Sequence, residues 1–161
     1  MRKIRELRDG ARYHVTSRIN RQEMSFAPES IKVLFLDIVE RAKRKYGFSV
    51  ENFCIMDDHF HMIIRPSSSC GLPKIMQWIK SMFSVTYNRI NGLTGHTWGT
   101  RYFSRILGNL TEYLRVSSYI DMNPVKAGLV RSCLDWTYSA CTFRERGHLA
   151  FLDPIPIGPF D

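Results

Sequence analysis

The sequence predicts an α+β fold in which helices pack against one antiparallel sheet. Three observations predict it. Two long segments carry apolar residues at helical spacing. Four short segments carry the β-branched and aromatic content of strands. Turn residues separate these segments into the order β-α-β-β-α-β, the split βαβ or ferredoxin-like pattern, with one further helix after it. At 161 residues the chain fits a single domain, 1–161. A chain of that size can bury roughly 70% of its unfolded surface, enough for a true core.

Each element has its own signature. Residues 1–10 (MRKIRELRDG) are charged and lead into no apolar run, so they read as a loose basic arm and not as a leader peptide. Arg12 to Ile19 alternates β-branched and aromatic residues with polar ones, which predicts the first strand. Ile31, Leu34, Phe35, Ile38, Val39 and Ala42 recur at helical spacing, and Gly47 stands where a C-terminal cap belongs. Phe48 to Met56 predicts a second strand, Asp57-Asp58 a turn, and His59 to Arg65 a third strand closed by Pro66. A second helix spans Leu72 to Asn91, with Leu72, Ile75, Met76, Ile79, Met82, Phe83 and Ile90 as its apolar stripe. Trp98 to Leu107 predicts a fourth strand with its entry loop. Leu110 to Met122 predicts a third helix, stopped by Pro124, since proline disfavours helix in the residue before it. Residues 141–161 read as an irregular tail, and the three prolines of its final DPIPIGPFD forbid a regular element there.

Composition narrows the function. Lys and Arg number 23 against 15 Asp and Glu, a net charge of +8. The resulting pI near 9.6 points to a polyanionic partner, with nucleic acid ahead of an anionic membrane surface. Cys54, Cys70, Cys133 and Cys141 are widely spaced with no CxxC pair, which excludes a zinc ribbon and predicts four reduced thiols in a cytoplasmic protein. No stretch approaches the ~20 apolar residues of a membrane span. The chain has no Gly-rich phosphate loop, GxSxG elbow or HExxH motif.

Three constellations can carry chemistry. His59 and His61 stand at i and i+2 on a strand, so both imidazoles project from one face while Phe60 and Met62 enter the core on the other. Such a pair starts a divalent metal site, or it is plain strand surface. Tyr119 and Asn123, at i and i+4, share one face of the third helix. They supply a nucleophile and a neutral metal ligand, or a packed tyrosine and an asparagine near a helix end. The basic residues Arg12, Arg18, Lys80, Arg89, Arg101 and Arg105 lie near aromatic Trp98, Tyr102 and Phe103. That mixture suits a single strand, whose unpaired bases stack on aromatic rings, or it is a solvated face over core aromatics. His14 on the first strand either approaches the site or packs, with packing favoured; His96, in the NGLTGHTW loop, either contacts DNA or is bystander surface; Tyr113, nearer the start of the third helix, is the rival nucleophile.

Four segments resemble one family in order. CIMDDHFHMIIRP resembles the His-bulky-His segment of the single-tyrosine HUH transposases. YHVTSRINR resembles their first strand, TYNRINGLTGHTWGTRYFSR the stretch into the fourth, and SSYIDMNPVKAGLV the nucleophile helix. Asn four residues after the tyrosine resembles the REP-associated tyrosine transposase branch, where the insertion-sequence branch tends to carry Gln. The resemblance implies that His59, His61 and Asn123 hold Mg²⁺ or Mn²⁺ and that Tyr119 is the nucleophile. It implies an enzyme that cleaves and rejoins single-stranded DNA near a hairpin through a 5′-phosphotyrosine, acting as a monomer or a homodimer. Asp57-Asp58 departs from the Pro-containing pair common in relatives, and either bonds an imidazole or merely forms the turn. The alternatives are a non-catalytic single-strand-binding protein, a relaxase-like nicking enzyme, and a metal-dependent hydrolase in which Tyr119 is structural.

Overall fold

The computed structural model describes residues 4–19, 25–155 and 160. Its elements run β1 (Arg12–Arg18), α1 (Glu29–Tyr46), β2 (Ser49–Ile55), β3 (His59–Arg65), α2 (Leu72–Asn91), β4 (Phe103–Leu107) and α3 (Leu110–Asp121). Short helices follow: α4 (Asn123–Lys126), a 3-10 turn (Cys133–Asp135) and α5 (Ala140–Glu145). The sheet order is β2-β3-β1-β4, with antiparallel neighbours throughout. This is the split βαβ arrangement that the element order predicts.

The sheet buries both faces against different partners. Tyr13, Val15, Phe60, Met62 and Ile64 face α1 and α2, and with Phe35, Ile38, Ile79 and Phe83 they form the main core. Cys54, Ile63 and Leu107 face the other way and meet Tyr113, Val116 and Ile120 of α3 in a smaller cluster. The pleat gives the sheet its two sides, and a bulge in β2 changes which of that strand's residues face each. The β2–β3 register slips between Val50 and Asn52. The slip turns Glu51 and Asn52 towards the α3 side, while Val50 and Phe53 both stay in the main core. Asn52, wholly buried, donates to Ser117 Oγ at 2.6 Å and to Asp121 Oδ1 at 3.1 Å. Those two residues flank Tyr119 on α3, so one strand residue sets the height of the helix above the sheet.

Several local expectations need correction. Pro124 does not end the helical path. α3 closes at Asp121, and Pro124 lies in the first turn of α4, where its missing N–H costs nothing. Ile90 is 60% exposed and leaves the apolar stripe. Part of the expected irregular tail is helical: the Ser139 hydroxyl accepts from Thr142 N and caps α5. The expectation of four reduced thiols holds for Cys54 and Cys70, whereas Cys133 and Cys141 are paired. The 3-10 turn and α5 pack together and bring those two within reach, which their eight-residue separation does not announce. The basic arm is not loose over residues 4–10. The Tyr13 hydroxyl is bonded to Arg8 N and O, and Arg5 lies over the Tyr102 ring at 3.6 Å. Residues 1–3 and most of the proline-rich end (156–159 and 161) lie outside the described residues.

Candidate active site

The site lies on the α3 side of the sheet, at the ends of β1 and β3. His59 and His61 project from that side of β3, as the i, i+2 spacing requires, with ring centroids 5.0 Å apart. Phe60 and Met62 fill the opposite core. Each imidazole is held at Nδ1. The Nδ1–H of His59 donates to Asp58 Oδ1 at 2.6 Å. The other Asp58 oxygen pairs with Arg18 at 2.8 Å. A carboxylate behind an imidazole fixes its tautomer and raises its basicity at the remaining nitrogen. Asp57 turns away and pairs with buried Lys32 at 2.7 Å. The acidic pair therefore divides its work: Asp58 orients an imidazole and Asp57 anchors the turn.

His61 is deeper, at 5% exposure. Its Nδ1 lies 3.0 Å from His14 Nε2, and its Nε2 lies 3.3 Å from the side-chain amide of Asn123. Burial first, and then the neighbouring rings of His14 and His59 and the Arg18 guanidinium, lower the His61 pKa to about 3. Burial, then Arg105, lowers that of His14 to about 4. Both rings are thus neutral at physiological pH, which is the form that ligates metals.

Tyr119 completes the group. Its ring lies 5.6 Å from that of His61 and 6.3 Å from that of His14, and the residue is 42% exposed. Lys126 Nζ stands 5.2 Å from the Tyr119 ring centre. Tyr113 is excluded as a rival by burial: it has no exposure, and desolvation followed by the Glu51 carboxylate pushes its hydroxyl far up.

The donor set suits a divalent cation. It offers two imidazole Nε2 atoms and a neutral amide oxygen, with both imidazoles already oriented from behind. Among the described residues no group of three or more His, Cys, Asp or Glu gathers as a metal site, and the side chain nearest His61 Nε2 that could add a further donor is the Asn123 amide, at 3.3 Å.

The expected DNA-contacting residues separate into two sets. Arg12 is buried, with Nε 3.0 Å from Glu51 Oε2, so it does not reach the surface. Trp98 packs against Phe26, Phe60 and Phe83 and donates its Nε1–H to Lys80 O, so it belongs to the core. Lys80 is tied to Ser17 Oγ and Thr100 O, both at 2.9 Å, and burial, then Arg5, lowers its pKa to about 8. Arg18, Arg89, Arg101 and Arg105 are exposed, Arg105 while paired with Glu112.

Three residues carry more than the sequence reading gave them. His14 touches His61. Lys126 stands beside the nucleophile candidate. Phe103, 55% exposed, sits across Thr16 from His61 on the same sheet face, beside a groove of about 790 Å³ that Arg101 and Arg105 help to line. The period-2 pattern of the first strand already holds the signal for His14: Arg12, His14, Thr16 and Arg18 must share one face.

Comparison with known proteins decides the family. The model for IS200-like transposases matches residues 8–123, from β1 to the asparagine that opens α4. The chain belongs to the IS200-like transposase family. A Haemophilus influenzae protein described as a REP-associated tyrosine transposase is 23% identical over 146 residues, covering 84% of this chain and 82% of the relative. The REP-associated tyrosine transposase of Escherichia coli K12 is 26% identical over 100 residues, covering 62% and 58%. Among solved structures, a REP-associated tyrosine transposase bound to a REP hairpin aligns over all of this chain and 93% of its own, with a TM-score of 0.76 at 22% identity. A transposase structure from Deinococcus radiodurans aligns over 75% and 96%, with a TM-score of 0.51 at 14% identity. The structural likeness supports the same fold, and the family match carries the transposase assignment.

Proposed function

We propose that this chain is a REP-associated tyrosine transposase that cuts and rejoins single-stranded DNA beside a hairpin. The observation that carries the reading is the meeting of two oriented imidazoles, the Asn123 amide and a half-exposed Tyr119 on one sheet face. The solved relative bound to a REP hairpin supports the choice of substrate.

In this reading His59, His61 and Asn123 hold Mg²⁺ or Mn²⁺. Such an ion, when bound, neutralises charge on the scissile phosphate and polarises the phosphorus centre. Tyr119 Oη attacks that phosphorus in line. The Oη–P bond forms and the P–O3′ bond breaks; the tyrosine proton passes to solvent, and the leaving 3′-oxygen takes a proton from solvent to become a hydroxyl. The 5′-phosphotyrosine conserves the bond, and a second 3′-hydroxyl reverses the step to rejoin strands. Lys126 stabilises the phenolate as it forms. Phe103 offers a face for an unpaired base, with Arg101 and Arg105 beside it for phosphates.

The test is incubation with hairpin-bearing single-stranded DNA and Mn²⁺, then a denaturing gel. The expected product is a protease-sensitive covalent adduct, absent from Tyr119→Phe, which still binds the DNA. An adduct of equal yield in Tyr119→Phe would remove Tyr119 from the reaction.

A further inference from the structure

The contact between His14 and His61 has a sharper geometry than packing demands. Their nitrogens lie 3.0 Å apart, while the ring centres are 5.2 Å apart and the planes differ by 23°. The centre-to-centre distance exceeds the nitrogen distance by about the sum of the two ring radii. The rings therefore meet edge to edge, nearly in one plane, along the hydrogen bond. Both are buried between α3 and the sheet, at 9% and 5% exposure.

A bond between two neutral imidazoles holds one proton, and its position decides what His61 can do. If His14 donated, His61 would carry its own proton on Nε2, the nitrogen that faces Asn123, and that nitrogen would have no lone pair to offer. If His61 donates from Nδ1, its Nε2 is a free acceptor towards Asn123. We propose that His14 is a positioning residue: it accepts the Nδ1–H of His61 and so holds His61 in the tautomer whose Nε2 lone pair faces the cation site. The inference rests on the cation-site reading given above.

The same task is met differently at the two imidazoles. At His59 the acceptor is the Asp58 carboxylate, partly open to solvent and paired with Arg18. At His61 the acceptor is buried and 6.3 Å, ring to ring, from Tyr119. A carboxylate there would carry the cost of a buried charge and would repel the phenolate that develops on Tyr119. A neutral imidazole accepts the same proton without either penalty.

The experiment uses the full chain, with ¹⁵N-labelled histidine, and two variants. His14→Phe keeps ring bulk but cannot accept; His14→Gln restores an acceptor oxygen. Long-range ¹H–¹⁵N correlation spectra of metal-free protein report the His61 tautomer directly, and titration with Mn²⁺ alone reports affinity. The wild type and His14→Gln are expected to show the Nδ1–H tautomer, and His14→Phe the Nε2–H tautomer. Mn²⁺ affinity should weaken roughly 10- to 100-fold in His14→Phe and recover in His14→Gln. An Nε2–H tautomer in the wild type would overturn the inference, and this readout stands even where His14→Phe fails to fold. Unchanged Mn²⁺ affinity in a folded His14→Phe would also overturn it. A wild type that holds the Nδ1–H tautomer but binds no Mn²⁺ would refute the cation site while supporting the His14–His61 bond.

Discussion

Lys126 and the buried histidines give the site its electrostatic character, residue by residue. Lys126 Nζ lies 5.2 Å from the Tyr119 ring centre on an exposed surface. A unit charge at such a distance in a water-like medium is worth about 1 kcal/mol, so Lys126→Met should slow single-turnover cleavage roughly five- to tenfold while DNA affinity changes less. His14 and His61 lose their protons well below the ordinary histidine value of 6.5, at about 4 and about 3. Between those limits the unfolded chain binds more protons than the folded one. Their contribution to stability is thus complete above pH 6.5 and is lost as pH falls from 6.5 towards 3. Urea unfolding of the metal-free protein across that window should show it, and His14→Gln should flatten the slope over its upper part. At this scale the sequence singled out residues that the structure brings together, but it could not show burial. His59, His61, Tyr119 and Asn123 were legible from spacing and order. Arg12 and Trp98 were not, because a buried partner such as Glu51 and a packed aromatic cluster leave no mark on composition.

At the scale of elements, a bulge and a broken helix place Tyr119 and Asn123. The β2 bulge aims Asn52 at Ser117 and Asp121, one on each side of Tyr119. Asn52→Ala leaves both partners without their donor in a buried place, which costs about 1–3 kcal/mol. Chemical denaturation should register that loss. Cleavage should fall more than DNA binding does, since α3 carries Tyr119, the proposed nucleophile. The path from α3 into α4 keeps the chain helical past Met122 and brings Asn123 to His61. Proline was read as a stop because the rule against helix before proline concerns the preceding residue. Here that residue opens a new helix, a choice made by tertiary packing. Element order and strand content were legible because hydrophobic period is a local property. The Cys133–Cys141 pairing and the register slip depend on partners distant in space, and neither was.

Across the whole molecule, the sheet divides labour between its faces. One face and its two long helices supply the main core; the other holds α3, the histidines and the exposed Phe103. A net charge of +8 and exposed Arg18, Arg89, Arg101 and Arg105 predict binding that weakens with salt. The log–log slope for a single strand should be ~0.7 per phosphate neutralised, and Arg101→Ala should lower it by about that amount. A salt-independent affinity would contradict a phosphate-binding surface. Among the described residues no helix is long and apolar enough to cross a membrane. The fold was the most legible level of all, since six elements in one order leave few right-handed, unknotted arrangements.

The most direct test is to trap the adduct formed with hairpin-bearing single-stranded DNA and Mn²⁺, digest it, and map the modified residue by mass spectrometry. A nucleophilic Tyr119 predicts a nucleotide joined through a 5′-phosphate to that residue. Modification at Tyr113 or any other residue, or no adduct from a folded, DNA-bound protein, would contradict it.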